Sequence, residues 1–166
     1  QTVCYVGPGT GLGGGFAKVK ANGQVQIITD GHISDIVVFD PNGQKARIED
    51  LFSGGAFQQQ TGHTLKELNA SSKLRTKYQT ELTQFFHYGA LIIQKIHSGE
   101  IVKMRPENSW PAKDVAAVQG VQVFILGGSV GTKGIIARQL RLKTLRELKK
   151  AGLEHLCLLP ITRPEK

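Results

Sequence analysis

Apolar and polar residues alternate along the first forty residues in a way that predicts consecutive β-strands. Residues 2–7 are rich in β-branched and aromatic side chains, which favours a strand. From residue 16 to residue 29 the alternation continues on both sides of Asn22-Gly23, a dipeptide typical of tight β-hairpins. We expect a further strand or extended segment over residues 33–40, ending at a turn over residues 40–43.

The rest of the chain has a mainly helical period. Two short helices are predicted on either side of the Ser-Gly-Gly break at residues 53–55, and apolar residues recur at helical spacing from residue 64 to about residue 97. The apolar run at residues 121–126 predicts a buried strand. Residues 135–150 predict a helix that ends before a glycine, and residues 155–161 predict a final strand. The order of elements indicates an α/β fold.

Composition limits the possible classes of protein. The chain has 166 residues, of which 40% are hydrophobic and 20% charged, as in an ordinary globular domain. No apolar run is long enough to span a bilayer, so no membrane partner is expected. Cys4 and Cys157 are far apart and have no second pair, which indicates neither a disulfide framework nor a zinc cluster. The simplest setting for such a chain is the reducing cytoplasm.

The net charge of +8 raises the question of a nucleic-acid partner. Basic residues are densest at residues 138–150, where they alternate with leucines at helical spacing. This pattern is typical of the solvated face of an amphipathic helix. A nucleic-acid-binding module is supported by charge alone, because no aromatic residues are interleaved with the basic ones. Nucleic acid is therefore not expected as a partner.

A glycine-rich loop near the N-terminus is the first candidate for chemistry. Six glycines lie between Gly7 and Gly15, and Gly9, Gly11 and Gly14 match the pattern G-x-G-x-x-G. A dinucleotide site of that type needs a helix directly after the loop, whereas the alternation here predicts a strand. A Walker A loop is excluded because no Lys-Ser or Lys-Thr pair follows. Two alternatives remain open: an anion cradle with Thr10 at its tip, or a hairpin that binds no ligand.

The second candidate is the glycine pair Gly127-Gly128. It follows the predicted buried strand and precedes a predicted helix. This order could place helix N–H groups against a phosphate or a flat ring. The alternative is an ordinary turn between a strand and a helix.

Four segments in order resemble the sugar kinases of the actin–hexokinase–Hsp70 ATPase superfamily. Residues 6–15 resemble the second phosphate motif of bacterial glucokinases and of the repressor–ORF–kinase (ROK) family, and residues 123–131 resemble their adenosine motif. Residues 29–32 resemble their Glu-x-Gly-His segment, with Thr29 in place of the glutamate. The segment from Glu49 resembles one in which a sugar-binding glutamate lies four residues before a Ser-Gly pair.

The resemblance implies a fold and a domain organisation. The fold would be a ribonuclease-H-like (actin-like ATPase) lobe, with a mixed sheet that starts with antiparallel strands and is flanked by helices. Residues 1–166 would form one domain, the C-terminal lobe of a two-lobe kinase whose N-terminal lobe is absent. The zinc segment of the ROK branch is also absent, which favours a zinc-free relative of the glucokinases.

The resemblance also implies three groups of binding residues. Gly9, Thr10 and Gly11 would hold the transferring phosphates, and Gly127 and Gly128 would line the adenosine pocket. His32 and Glu49 would hydrogen-bond the sugar hydroxyls. The alternatives are that His32 is a histidine at a strand end and that Glu49 is an acid in the first turn of a helix. The expected ligands are ATP, Mg²⁺ and a hexose. The other expected partners are the absent lobe and a second copy in a homodimer.

The expected activity is ATP-dependent phosphorylation of a hexose by the intact parent protein. The general base and the Mg²⁺-associated aspartate would lie on the other lobe, so no catalytic residue is assigned to this chain. We expect the isolated chain to be inactive as a kinase. The alternative is a non-catalytic, sugar-sensing regulator related to the same kinases.

Overall fold

The computed structural model describes residues 1–29, 32–103 and 112–160. The strands in these residues are β1 (Thr2–Pro8), β2 (Leu12–Val19), β3 (Val25–Thr29), β4 (Val37–Phe39), β5 (Lys45–Arg47), β6 (Val123–Leu126) and β7 (Cys157–Pro160). The helices are α1 (Gly54–Thr61), α2 (Leu65–Ala70), α3 (Ser72–Lys77), α4 (Gln79–His97), α5 (Glu100–Lys103), α6 (Ala112–Val118), α7 (Gly128–Gly131) and α8 (Gly134–Lys150). Single-turn 3₁₀ helices span Ile33–Asp35 and Ile48–Asp50.

A five-stranded mixed sheet in the order β3-β2-β1-β6-β7 forms the centre of the structure. β1, β2 and β3 pair antiparallel, while β6 pairs parallel with both β1 and β7. The predicted hairpin at Asn22-Gly23 is confirmed, and Gly23 has the positive φ of 84° that such a turn requires. The expected mixed sheet that starts with antiparallel strands and is flanked by helices is therefore confirmed.

Two long helices cover the buried side of this sheet. α4 buries residues at helical spacing, including Leu82, Phe85 and Ile92, and it packs against α8, which buries Ile136 and Leu140. These side chains join those of β1 and β6 in a single hydrophobic core. Burial of each such side chain contributes about 1.5–3 kcal/mol. None of the helices in the described ranges is long and apolar enough to cross a membrane.

Two local predictions differ from the structure. The strand expected within residues 33–40 is confined to β4, which pairs with β5 in a separate two-stranded sheet, while Ile33–Asp35 form a 3₁₀ turn. At this turn the buried Ile33 side chain packs against Gly14 of β2. The short helix expected just before the Ser-Gly-Gly break is instead β5 followed by a 3₁₀ turn, in which the buried Ile48 donates its N–H to Ile36 O at 2.7 Å.

Candidate functional site

The glycine-rich loop is the turn of the β1–β2 hairpin. Pro8 pairs with Leu12, and the turn between them is closed by the Gly9 N–H, which donates to Gly11 O at 2.8 Å. Residues 14–19 are a strand, as predicted, so the arrangement differs from that of a dinucleotide-binding loop. Thr10 and Gly11 are exposed at the tip.

The N-terminus of α1 supports this tip. The Gly55 N–H donates to Thr10 O at 2.9 Å, and the Gly54 N–H donates to Gly9 O. A Cβ atom on Gly54 or Gly55 would lie within 2.8 Å of the same two carbonyl oxygens, so the Ser-Gly-Gly sequence is needed for this close approach. Sequence reasoning treated the pair as a helix break and missed this contact.

The Gly127-Gly128 turn lies beside the hairpin. The Gly127 N–H donates to Val6 O at 2.9 Å, and the Gly128 N–H donates to the Tyr5 hydroxyl at 2.8 Å. Gly128 has a φ of 72°, and a Cβ atom there would lie 2.4 Å from Pro8 O. Gly128 thus packs directly on the backbone of β1, and its amide is already bonded.

Ser129 brings a side chain to the same place and was not predicted from the sequence. Its Oγ is 3.3 Å from the position that a Cβ atom on Gly9 would occupy. The residue is exposed. The two glycine turns are therefore neighbours, and a hydroxyl lies where they meet.

Glu49 also reaches the hairpin. Its Oε2 accepts the Leu12 N–H at 2.9 Å and would lie 3.1 Å from a Cβ atom on Gly11. Its Oε1 is 3.4 Å from Arg47 Nη2. The carboxylate is therefore more than a solvated group at a helix start, because it bonds the backbone of the predicted phosphate loop.

His32 belongs to a network of charged side chains that leads to Glu49. It adopts a left-handed backbone conformation, with a φ of 48°, directly before the first 3₁₀ turn. Its Nδ1 is 3.7 Å from Asp35 Oδ2, and Asp35 Oδ1 is 3.0 Å from Arg47 Nη2. Asp30 and Gly31 of the Glu-x-Gly-His-like segment lie outside the described residues. The contacts of Asp35 and Arg47 were not predicted from the sequence.

The tip of the hairpin has two backbone donors that are not bonded within the described part of the protein. The carbonyls of Gly9 and Thr10 and the amide of Leu12 are bonded within the protein, whereas the Thr10 and Gly11 N–H groups have no acceptor among the described residues. Adjacent outward N–H groups at a bend are suited to anionic oxygens. Within the described residues, no group of three or more histidine, cysteine or acidic side chains could hold a metal ion.

A cavity of about 280 Å³ lies close to this region but does not include the hairpin tip. Its lining includes Asp50, Ala56 and Phe57. Thr10 and Gly11 at the tip are exposed, and none of the predicted phosphate-binding residues lines this cavity.

No family model and no curated protein match the sequence. Solved structures do match the fold. The ROK hexokinase of Thermus thermophilus aligns over 95% of this chain, with a TM-score of 0.57 and 16% identity. A Balamuthia mandrillaris glucokinase in complex with glucose aligns over 99% of this chain, with a TM-score of 0.59 and 13% identity. A ROK family protein from Streptococcus pneumoniae in complex with sucrose aligns over 90% of this chain, with a TM-score of 0.57 and 15% identity.

The chain spans about half the length of these proteins, since it covers 50%, 51% and 48% of them respectively. At this level of identity the likeness is one of fold. The chain has the fold of about half of a ROK hexokinase or a glucokinase, in agreement with the actin-like ATPase lobe that the sequence predicts.

Proposed function

We propose that this chain is the nucleotide- and sugar-binding lobe, by resemblance the C-terminal one, of an ATP-dependent hexose kinase. One observation carries the proposal: the hairpin tip, with the open N–H groups of Thr10 and Gly11, lies directly beside the turn that contains Gly128 and Ser129. Such a bend would accept the phosphates of a nucleotide. The fold shared with half of a ROK hexokinase and of a glucokinase supports the same function.

The sugar site in this proposal contains Glu49 and His32. A carboxylate and an imidazole are both suited to hydrogen-bonding sugar hydroxyls. His32 directly precedes the first 3₁₀ turn and Glu49 lies in the second; the two turns contact each other, and Arg47 and Asp35 link the two side chains. One neighbour in fold is a complex with glucose, which makes a hexose the first sugar to test.

The proposed chemistry divides the work between this chain and a second lobe. Phosphoryl transfer depends on positioning and on stabilisation of charge, and the Thr10 and Gly11 N–H groups would do both for phosphate oxygens. Mg²⁺ would enter with the nucleotide phosphates, because this ion is usually held largely by substrate phosphate oxygens in kinase sites. The base that accepts the hydroxyl proton would come from the second lobe, so the isolated chain would bind ligands without turnover. A homodimer and a cytoplasmic setting are parts of the same proposal.

Thermal unfolding of the 166-residue chain with ligands tests the proposal. Millimolar ADP, ATP–Mg²⁺ and glucose should each raise the Tm, because each binds only the folded chain. Thr10→Ala should weaken ADP binding by about tenfold through loss of a hydroxyl donor to a charged group. Thr83→Ala is the matched control, since that exposed hydroxyl bonds within α4 and should leave binding unchanged.

The possible outcomes separate the two functions left open by the sequence. Stabilisation by glucose without stabilisation by any nucleotide would favour a sugar-sensing regulator. The absence of any effect of nucleotides and hexoses would contradict both. Turnover of glucose by this chain alone would contradict the assignment of the base to a second lobe.

A further inference from the structure

Glu49 connects two parts of the candidate site through its two carboxylate oxygens. Oε2 accepts the N–H of Leu12, the first residue of β2 after the hairpin tip, at 2.9 Å. The same oxygen would lie 3.1 Å from a Cβ atom on Gly11. One oxygen of this side chain therefore rests against the tip that carries the open N–H groups.

The other oxygen belongs to the charged network of the proposed sugar site. Oε1 is 3.4 Å from Arg47 Nη2, and the same guanidinium nitrogen is 3.0 Å from Asp35 Oδ1. Asp35 Oδ2 is in turn 3.7 Å from His32 Nδ1. The side chain of Glu49 is one-third exposed (33%), so a sugar hydroxyl could reach it from solvent.

The backbone around Glu49 is fixed at the point where α1 supports the tip. The Ser53 hydroxyl donates to Glu49 O at 2.8 Å and accepts the Ala56 N–H at 3.1 Å as the cap of α1. The adjoining Ile48 is fully buried. Glu49 therefore has a defined position, and movement of its carboxylate would be transmitted to Leu12 more readily than to its own backbone.

We propose that Glu49 is a positioning residue that couples sugar binding to nucleotide binding; this inference rests on the proposed function. A sugar hydroxyl that donates to Glu49 would restrict the carboxylate and, through the Leu12 N–H, restrict the hairpin tip. The Thr10 and Gly11 N–H groups would then already be partly ordered when a phosphate binds, so nucleotide binding would lose less conformational entropy. By thermodynamic linkage, the nucleotide must strengthen sugar binding by the same factor.

The structural half of the proposal is tested without ligand, by amide hydrogen exchange of the full chain measured by NMR. Glu49→Ala should accelerate exchange of the Leu12 amide by about tenfold, because its acceptor is lost. Glu49→Gln should stay within about twofold of the wild type, since an amide oxygen still accepts. Asp50→Asn, a change of the neighbouring exposed acid, should have no effect. Equal exchange rates in Glu49→Ala and the wild type would overturn the link.

The coupling is tested by titrating ADP into each variant without glucose and with glucose at a concentration that a separate glucose titration of that variant shows to be saturating. Glucose should lower the Kd of ADP by about fivefold in the wild type, at the lower end of usual coupling factors. The ratio of the ADP Kd without glucose to the ADP Kd with glucose should fall to about one in Glu49→Ala and should stay at about five in Asp50→Asn. A purely structural role would weaken ADP binding in Glu49→Ala but leave the ratio unchanged, and would overturn the inference. Failure of the wild type to bind either ligand would instead refute the proposed function.

Discussion

Replacement of Gly128 by alanine is the sharpest test of how the two glycine turns fit together. Gly128 combines a φ of 72° with a backbone neighbour on the side where a Cβ would lie. The new methyl group would be 2.4 Å from Pro8 O and 2.8 Å from the carbonyl carbon of Gly7. Neither atom belongs to a flexible side chain, so β1 or the turn must move.

The expected loss of stability follows from these two features. A left-handed conformation costs a residue other than glycine about 1–2 kcal/mol. Overpacking against a fixed neighbour adds about 1–3 kcal/mol. Displacement of the turn would also weaken the hydrogen bond from the Gly128 N–H to the Tyr5 hydroxyl, worth about 1 kcal/mol. A total of about 3–6 kcal/mol is a large part of the stability of a typical domain.

Gly120 provides a matched control. Its φ is 71°, nearly the same as that of Gly128, but a Cβ atom there would have no neighbour within 4 Å. Gly120→Ala should therefore lose only the conformational part, about 1–2 kcal/mol. Both variants are compared with the wild type by urea unfolding followed by circular dichroism. Equal losses in the two variants would refute the close packing of the second turn on β1, whereas failure of Gly128→Ala alone to fold would agree with it.

Three further changes test other contacts in the fold. Tyr5→Phe should lower the free energy of unfolding by about 1–2 kcal/mol, because the partly buried Gly128 N–H loses its hydrogen-bond acceptor. An unchanged urea midpoint would contradict this. Asn69→Ala should cost about 1–2 kcal/mol, since Asn69 Oδ1 accepts the Ile136 N–H in the first turn of α8 at 2.9 Å; a loss below 0.5 kcal/mol, within the error expected for a surface change, would contradict it. Burial raises the pKa of the Cys4 thiol, whereas Cys157 is exposed. Iodoacetamide at pH 8 should therefore modify Cys157 and leave Cys4 unmodified until urea is added, as measured by mass spectrometry. Equal labelling of both cysteines in the native chain would contradict the buried position of Cys4.

Elements specified by local sequence were predictable. The β2–β3 hairpin follows from alternation around Asn22-Gly23, and α8 (Gly134–Lys150) lies within one residue of its predicted bounds. The separate β4–β5 sheet was not predictable, because the chain turns there on contacts with β2 that are distant in sequence. The spacing of apolar residues and the turn residues indicate whether a segment is a strand or a helix, but they do not reveal which sheet a strand joins.

The same distinction applies to the candidate site. Thr10 was predicted at the tip of the glycine turn, and it lies there next to Gly11, with both N–H groups unbonded among the described residues. Glu49 was proposed as a sugar ligand on resemblance alone, and its bond to Leu12 spans 37 positions. Ser129 was missed for a similar reason, since it approaches Gly9 from the other end of the chain. No pattern within a short window carries such information.

The glycines of the β1–β2 hairpin are usually explained by a need for positive φ angles, and the structure indicates a different reason for them. Among the described residues, none of the glycines from Gly7 to Gly15 has a positive φ, so the hairpin does not need them for backbone conformation. The three glycines of the G-x-G-x-x-G match instead leave room for neighbouring elements. A Cβ atom on Gly9, Gly11 or Gly14 would lie 3.3 Å from Ser129, 3.1 Å from Glu49 and 2.4 Å from Ile33 respectively. The match to a dinucleotide fingerprint thus arises from three unrelated packing contacts. What would specify a phosphate here is the pair of open N–H groups at Thr10 and Gly11, and the glycines act by letting neighbouring elements close around that pair.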